Sequence, residues 1–146
     1  MSEDALSVIA PLLPPKPLSL SNEIKPLHYV YFKDKFTFEK RCQEYDKVYK
    51  KFPDKIPIIV EKGNDKTYDI DQHKYLVPIN CKIPITMGHF ANDVRKRLKL
   101  KQDEALFFFI NNTIPTMTQT ITEIYHHHKD KDGFLYIQYS GESTFG

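Results

Sequence analysis

The residue with the most specific chemical potential is the last one, Gly146. It follows a polar stretch that begins at Ser140 and runs to Phe145. A free glycine carboxylate can act as an acyl donor, because a residue without a Cβ can enter a narrow active site in an extended form. There it can be activated as an acyl adenylate and passed through enzyme thioesters to an amine. A terminal glycine is not specific by itself, since an arbitrary chain end can also be glycine.

Three consecutive histidines, His126, His127 and His128, form a second chemical cluster. Consecutive side chains on a helix point about 100° apart, so these three cannot close around one metal ion. A helix end in solvent accounts for them, because cationic character complements the negative C-terminal end of a helix. The pattern therefore favours a solvated helix end and no metal site.

A basic run at Arg95, Lys96 and Arg97, continued by Lys99 and Lys101, has two interpretations. It could bind phosphate groups, or it could be the solvent face of an amphipathic helix, which is the commoner origin of such runs. The formal charge of the chain is only +2, from 21 basic and 19 acidic residues. No global field attracts a polyanion, so we favour the solvent face and no nucleic-acid partner.

Catalytic patterns are not recognisable in the sequence. The two cysteines, Cys42 and Cys81, are too few for a disulfide framework, lie in no metal-binding spacing and suit a reducing cytosol. No Ser, His and Asp arrangement and no glycine-rich phosphate loop is evident. No apolar run approaches the roughly 20 residues that span a bilayer, and the acidic start followed by prolines lacks the features of an export signal. We expect a cytoplasmic protein that is not an enzyme and needs no cofactor.

The alternation of apolar and polar residues predicts four strands and three helices in one domain of this length. The first helix follows the capping residue Thr37, with an apolar face of Phe38, Cys42, Tyr45, Tyr49 and Phe52. The second follows Thr86, and the third is centred on residues 117–125. Strands are predicted at residues 56–62, 73–77, 105–110 and 134–139, with turns at residues 63–65, 111–113 and 129–133. A small sheet crossed by a helix, as in a β-grasp fold, fits this order.

Residues 1–31 are predicted to be a flexible extension, because Pro11, Pro14, Pro15, Pro17 and Pro26 disfavour a long helix or a central strand. The first interpretation is an inert solvated tail. The second, kept open by the apolar residues of this stretch, is a segment that covers a binding face or touches a membrane. Those apolar residues are Leu6, Val8, Ile9, Leu12 and Leu13.

Several motifs occur together in one order: FEKR at residues 38–41, IP at 56–57, KYLVP at 74–78, RKRL at 95–98, ALFFF at 105–109, KDKDGFLY at 129–136 and YSGESTFG at 139–146. In this the chain closely resembles the autophagy ubiquitin-like modifiers, the GABARAP and microtubule-associated light-chain family. The resemblance covers about residues 32–146. It implies an α+β, ubiquitin-like β-grasp fold with additional N-terminal helices, a domain at residues 32–139 and a conjugation tail at residues 140–146.

The resemblance also implies a function and a set of partners. Gly146 would be amide-linked to phosphatidylethanolamine, so that the cytoplasmic protein becomes lipid-anchored on autophagosome membranes. The implied partners are activating and conjugating enzymes, a deconjugating cysteine protease, and cargo receptors with short aromatic and aliphatic motifs. The alternative function is a ubiquitin-like module that binds peptides without conjugation, or a modifier attached to protein lysines.

Cargo peptides would add a strand to an exposed sheet edge and insert an aromatic and an aliphatic side chain into two pockets. The edge would be Lys74, Tyr75, Leu76 and Val77. By resemblance, the aromatic pocket would be formed by Glu44, Val48, Pro57, Ile59, Lys74, Leu76 and Phe134. The second pocket would be formed by Tyr75, Val77, Pro78, Ile85, Phe90 and Val94. Lys55 and Arg97 would meet acidic peptide residues. Ordinary core packing is the alternative for most of the apolar positions.

The chain departs from the family pattern at two points. Asp93 stands where the family usually has an aliphatic residue that lines the second pocket. A carboxylate there has to stay hydrated or find a cation such as Arg97 or Lys96, since burying it unpaired is costly. We therefore expect weaker or altered selectivity at this pocket. The loop at residues 79–84 is also longer than is usual in the family.

Overall fold

The computed structural model describes residues 10–11, 29–63 and 69–141. The predicted conjugation residue Gly146, most of the predicted tail and extension, and part of the turn at residues 63–65 lie outside the described residues. The elements in chain order are β1 (Ala10–Pro11), α1 (Phe32–Lys35), α2 (Phe38–Lys51), β2 (Lys55–Lys62), β3 (Lys74–Pro78), α3 (Met87–Arg97), β4 (Phe107–Phe109), α4 (Ile121–His128) and β5 (Leu135–Ser140).

The strands form one mixed sheet in the order β1-β3-β2-β5-β4. β2 and β5 run parallel at its centre, and the other neighbours are antiparallel. All residues of β2 after Lys55 are buried, as expected for a strand covered on both faces. The predicted hairpin-like pairing of residues 56–62 with 73–77 is confirmed. So is the prediction of a small sheet crossed by a helix.

Two apolar clusters cover the two faces of the sheet. The larger one joins α3 and α4 to the sheet through residues such as Met87, Phe90, Val94, Ile121 and Ile124, all 1% exposed or less. The smaller one joins the N-terminal helices to the other face. Its buried members are Phe32, Val48, Ile59, Leu76 and Phe134.

Helix α2 begins at the predicted residue, because the Thr37 side chain accepts a hydrogen bond from the Lys40 N–H at 3.2 Å. The predicted apolar face is partly wrong. Phe38 and Tyr49 are about half exposed, whereas Val48 is buried against the sheet. The face of α2 that packs against the sheet is therefore rotated about the helix axis from the face that the aromatic spacing predicts.

The other predicted elements exist with shifted bounds. Met117 precedes α4 and is 41% exposed, because the helix starts only where Thr120 and Glu123 form a reciprocal capping box. The predicted strand at residues 105–110 shortens to Phe107–Phe109. β5 runs through Ser140, which is buried, so it ends one residue later than predicted.

Two predicted turns adopt left-handed backbone conformations. Asn111 and Asn112 have φ angles of 50° and 64° and reverse the chain between Ile110 and Thr113, which form an isolated bridge. Gly133 ends the predicted turn at residues 129–133 with φ 103°. An added Cβ at Gly133 would overlap the ring of Tyr45, so only glycine lets α2 approach β5 here.

Buried Glu61 fastens the N-terminal segment to β2. Its carboxylate accepts hydrogen bonds from the Phe32 N–H at 2.7 Å and the Tyr29 hydroxyl at 2.8 Å. Burial raises the pKa of Glu61, and these two hydrogen bonds only partly oppose that rise. A carboxyl group with a raised pKa in the folded state binds its proton more tightly there than in the unfolded chain.

We therefore expect Glu61→Gln to change how stability depends on pH. The tighter binding of the Glu61 proton in the folded state adds to the free energy of unfolding. This addition is fully present below the unfolded-state pKa and is lost as pH rises through the raised folded-state pKa. The stability of the wild type relative to Glu61→Gln should therefore fall as pH rises from about 4, the ordinary pKa of a carboxyl group, through the raised folded-state pKa. Urea unfolding of both proteins across this range measures the difference. A difference that stays constant, or that grows in favour of the wild type, would contradict the assignment.

Candidate functional site

Two hydrogen bonds fix which residues of β3 face β2. The Val60 N–H donates to the His73 carbonyl at 2.7 Å, and the Ile79 N–H donates to the Asp54 carbonyl at 2.9 Å. Hydrogen-bonded and non-hydrogen-bonded pairs alternate along antiparallel strands. Every second residue of β3, counted from His73, therefore directs its backbone groups towards β2.

The intervening residues, Lys74 and Leu76, direct their backbone N–H and C=O groups away from β2. Leu76 lies opposite Pro57, which has no N–H to donate. This pairing fits a position at which the two residues exchange no backbone hydrogen bonds. Such outward-facing groups are the ones to which an added strand binds. On the side of β3 away from β2, Lys74 and Leu76 therefore carry the main-chain groups with which a further strand pairs, and Leu76 lies opposite Ala10 of β1 there.

The predicted aromatic pocket brings together residues from α2, β2, β3 and β5. Val48, Ile59, Leu76 and Phe134 belong to the smaller apolar cluster and are 7% exposed or less, so the structure places them in the core. Buried Pro57 lies beside Leu76 in the neighbouring strand. Phe32 of the same cluster lines a cleft of about 180 Å³, and of the predicted pocket residues Glu44 and Lys74 line it. It is lined by Phe32, Phe36, Lys40, Gln43, Glu44, Lys47 and Lys74.

Phe32 and Phe36 are part of this cleft and were not among the residues predicted from the sequence. Their rings lie 5.0 Å apart, and the Lys74 ammonium lies 5.2 Å from the centre of the Phe32 ring. The i, i+4 spacing of two aromatic residues directly before the capping residue Thr37 is the signal that could have indicated a short helix there.

Charged side chains surround the mouth of the aromatic cleft. Lys74 and Glu44 form an ion pair across it at 3.8 Å, with both side chains partly exposed. Lys40 and Lys47 lie on α2 beside Glu44. Lys55, also partly exposed, lies over the Phe52 ring at 5.3 Å at the start of β2. The cleft therefore combines an aromatic wall with an excess of positive charge.

The second predicted pocket is mostly core. Tyr75, Val77, Ile85, Phe90 and Val94 are brought together in the larger apolar cluster, and each is 8% exposed or less. Pro78, at the end of β3, is only half-buried. These side chains can form a pocket floor between β3 and α3, but core packing accounts for most of their burial.

Asp93 and Arg97 lie at the rim of this second region. Asp93 is 4% exposed, and its carboxylate accepts a hydrogen bond from the Arg97 Nε at 3.2 Å. The Arg97 guanidinium also lies over the Tyr75 ring, 5.3 Å from its centre. The expectation that Asp93 finds a cation is confirmed, and the cation is the same arginine that was predicted to meet acidic peptide residues.

The basic run is not a uniform solvent face. Arg95 donates to the backbone carbonyls of Lys101 and Gln102 at 2.9 and 3.2 Å, so it closes the loop after α3. Arg97 is committed to Asp93, while Lys96 and Lys99 are exposed. The prediction of a wholly solvated face is therefore wrong for the two arginines, because their long planar groups reach the buried Asp93 carboxylate and the backbone carbonyls of the loop after α3.

The three histidines occupy the last turn of α4, as predicted. His126 and His127 are exposed, and Nδ1 of His128 lies 3.2 Å from Nδ2 of Asn111. Within residues 29–63 and 69–141, no group of three or more His, Cys, Asp or Glu side chains is arranged to hold a metal ion. Among the helices that the structure describes, none has both the length and the apolar composition needed for a bilayer crossing.

Comparison with known proteins assigns this arrangement to a family. Residues 40–146 match the family described as "Autophagy protein Atg8 ubiquitin like". The chain belongs to the Atg8 family. The match includes α2 from Lys40 onwards, the whole described sheet except β1, and Gly146.

Curated Atg8 proteins from distant organisms are similar to the chain over the same region. Autophagy-related protein 8 of Kluyveromyces marxianus is 47% identical over 116 residues, which cover 79% of this chain and 90% of the relative. Autophagy-related protein 8a of Arabidopsis thaliana is also 47% identical over 116 residues, covering 79% and 92%. The resemblance stated from the sequence motifs is thereby confirmed.

Solved Atg8 structures confirm the fold. The crystal structure of Trypanosoma brucei ATG8 matches with a TM-score of 0.66 and 39% identity, covering 82% of this chain and 100% of that one. Plasmodium falciparum Atg8, in complex with a Plasmodium falciparum Atg3 peptide, matches with a TM-score of 0.69 and 30% identity, covering 79% and 98%. The chain is a ubiquitin-like α+β protein with N-terminal helices, and it is an autophagy protein.

Proposed function

We propose that this Atg8-family protein is a modifier that becomes joined through Gly146 to phosphatidylethanolamine and acts in autophagosome formation. The observation that carries the proposal is the family match, which continues from the folded domain to Gly146 itself. The protein would be a substrate of conjugating enzymes and would perform no catalysis of its own. It would be cytoplasmic before conjugation and lipid-anchored on autophagosome membranes afterwards.

The chemistry assigns one role to this chain at each step. The Gly146 carboxylate attacks ATP on an activating enzyme and releases pyrophosphate, which gives an acyl adenylate. An enzyme cysteine displaces AMP and forms a thioester, which passes to a conjugating enzyme. The amine of phosphatidylethanolamine then attacks the thioester carbonyl, forms the amide and releases the thiol. A deconjugating cysteine protease would hydrolyse that amide.

We also propose that the edge of β3 and its two flanking regions bind short peptides of cargo receptors. The outward-facing backbone of Lys74 and Leu76, the aromatic wall of Phe32 and Phe36, and the surrounding lysines support this proposal. So does the complex of the Plasmodium relative with a peptide. An aromatic side chain would enter the cleft beside Phe32, and acidic peptide residues would meet Lys55 and Lys74, whereas Arg97 would first have to leave Asp93.

A liposome flotation experiment tests the conjugation. The chain ending at Gly146 is incubated with activating and conjugating enzymes, ATP and liposomes that contain phosphatidylethanolamine. We expect it to float with these liposomes, and to remain in solution when ATP is omitted or when phosphatidylcholine replaces the amine lipid. Equal flotation on both lipids, or attachment to enzyme lysines only, would refute lipid conjugation and support the alternative modes.

Asp93 is expected to weaken peptide binding at the second region. Its carboxylate replaces apolar surface there and holds Arg97 away from acidic ligands. We expect Asp93→Val to bind a peptide with an acidic segment, one tryptophan and one leucine about three- to tenfold more tightly. That gain corresponds to one or two newly buried methyl groups. Isothermal titration calorimetry measures it.

The matched control is Asn92→Val, on the neighbouring exposed position of α3. It adds a β-branched residue to the same helix without touching the Arg97 ion pair. Its affinity should equal that of the wild type. Unchanged affinity of Asp93→Val, or an equal gain in both variants, would show that the carboxylate does not set selectivity.

A further inference from the structure

The N-terminal extension contributes a strand to the sheet edge on which the proposed peptide site depends. β1 pairs antiparallel with β3, with Ala10 opposite Leu76 and Pro11 opposite Tyr75. β1 is an outer strand of the described sheet. The family match starts at residue 40, so this strand lies outside the part of the chain that the family model covers.

The register of β1 suits its sequence. Ala10 lies opposite Leu76, whose backbone groups point away from β2, so Ala10 occupies the hydrogen-bonded position of the new pair. Pro11 lies opposite Tyr75, whose backbone groups point towards β2. The missing N–H of Pro11 therefore costs no ladder hydrogen bond. A slip by one residue would bring Pro11 opposite an outward-facing residue and remove a donor from the ladder.

We propose that the extension is an intramolecular ligand of the β3 edge, which an incoming peptide must displace before it can bind. This inference rests on the proposed peptide-binding function. A sheet edge can pair with one strand at a time, because each outward N–H and C=O of Leu76 has one neighbour in the plane of the sheet. β1 and a cargo peptide therefore compete for the same main-chain partners.

A strand as short as β1 can pair with β3 because the chain that follows it is attached beside β3. Residues 12–28 connect β1 to Tyr29, whose ring lies 4.8 Å from that of His73, immediately before β3. Both ends of this connection lie beside the same strand, so the effective concentration of β1 at the edge is in the millimolar range. A two-residue strand is weak on its own. The contact therefore lowers peptide affinity by about three- to tenfold and does not abolish binding.

The test uses the full chain with Ala10→Pro, which removes the N–H that pairs with Leu76 and leaves the proposed site untouched. Ser21→Pro is the matched control, since it adds a proline to the same extension outside β1. The probe is a synthetic peptide with an acidic segment, one tryptophan and one leucine. Its dissociation constant is measured by fluorescence anisotropy, and exchange of the Leu76 amide proton is measured by NMR without peptide.

We expect Ala10→Pro to bind the probe about three- to tenfold more tightly and to exchange the Leu76 amide faster, with Ser21→Pro unchanged in both. Unchanged affinity together with unchanged Leu76 exchange would overturn the intramolecular ligand. Faster exchange without peptide binding by either protein would instead overturn the proposed peptide site. The two failures are therefore distinguishable.

Discussion

Asp132→Ala is expected to lower the free energy of unfolding by about 3–5 kcal/mol, the usual effect of removing one partner of a buried ion pair. The Asp132 carboxylate is fully buried and accepts a hydrogen bond from the Arg41 Nε at 2.9 Å. It also accepts from the Phe134 N–H at 2.8 Å and from the Tyr136 hydroxyl. Alanine would leave the mostly buried Arg41 without its carboxylate and the other two donors without an acceptor.

The consequence reaches the aromatic cleft, because the Asp132 carboxylate binds both Arg41 on α2 and the backbone of Phe134 before β5. Arg41 also donates to the Phe36 carbonyl at 2.8 Å, so Asp132 helps hold one wall of the cleft. Asp132→Ala should therefore weaken peptide binding as well as stability.

Asp130→Ala is the matched control for Asp132→Ala. Asp130 lies in the same turn and accepts from Lys33 at 2.6 Å, but both of these side chains are partly exposed. Its removal should cost about 1 kcal/mol or less. Urea unfolding of the three proteins at one pH measures both effects. Equal losses in the two variants would show that the Asp132 network is not the connection between α2 and β5.

Gly146→Ala is expected to reduce the rate of lipid conjugation by about 100-fold. A Cβ on the reacting residue displaces the carboxylate from its position in a narrow active site, and misplacement by about 1 Å can cost this much. Single-turnover formation of the lipid conjugate, followed by electrophoretic mobility, measures the rate. Phe145 and all residues of the folded domain stay unchanged in this variant.

Gly141→Ala is the corresponding control within the C-terminal segment. Gly141 has no positive φ angle, and the nearest neighbour of an added Cβ would be the Ala105 carbonyl oxygen at 4.0 Å. Alanine therefore fits at this position, and conjugation should proceed at the wild-type rate. Wild-type conjugation of Gly146→Ala would contradict the role of Gly146, whereas slow conjugation of both variants would indicate a general requirement for a pliable tail.

Local sequence chemistry predicted the starts of α2 and α3, since capping is decided within one turn. Thr37 and Thr86 each accept a hydrogen bond from an N–H three residues later, as their positions indicated. The buried face of α2 depended on tertiary packing. Aromatic spacing indicated Phe38 and Tyr49, but the sheet contacts Val48.

The candidate site was predictable where the family motifs reached and not beyond them. Glu44 and Lys74, which line the aromatic cleft, were named from resemblance, whereas Phe32 and Phe36 were not. The short strand β1 was also unpredicted, because two residues carry no periodicity and Pro11 argues against a strand. β1 can pair with β3 only where the backbone groups of Leu76 point away from β2, and that orientation follows from the pairing of β2 with β3.

Intact-mass spectrometry of the wild-type chain tests the central claim most directly. After incubation with activating and conjugating enzymes, ATP and phosphatidylethanolamine liposomes, the mass should rise by one lipid molecule less one water. The added mass should resist hydroxylamine, because an amide survives where a thioester is cleaved, and fragmentation should locate it on Gly146. An unchanged mass, or a lipid located on any other residue, would contradict the account.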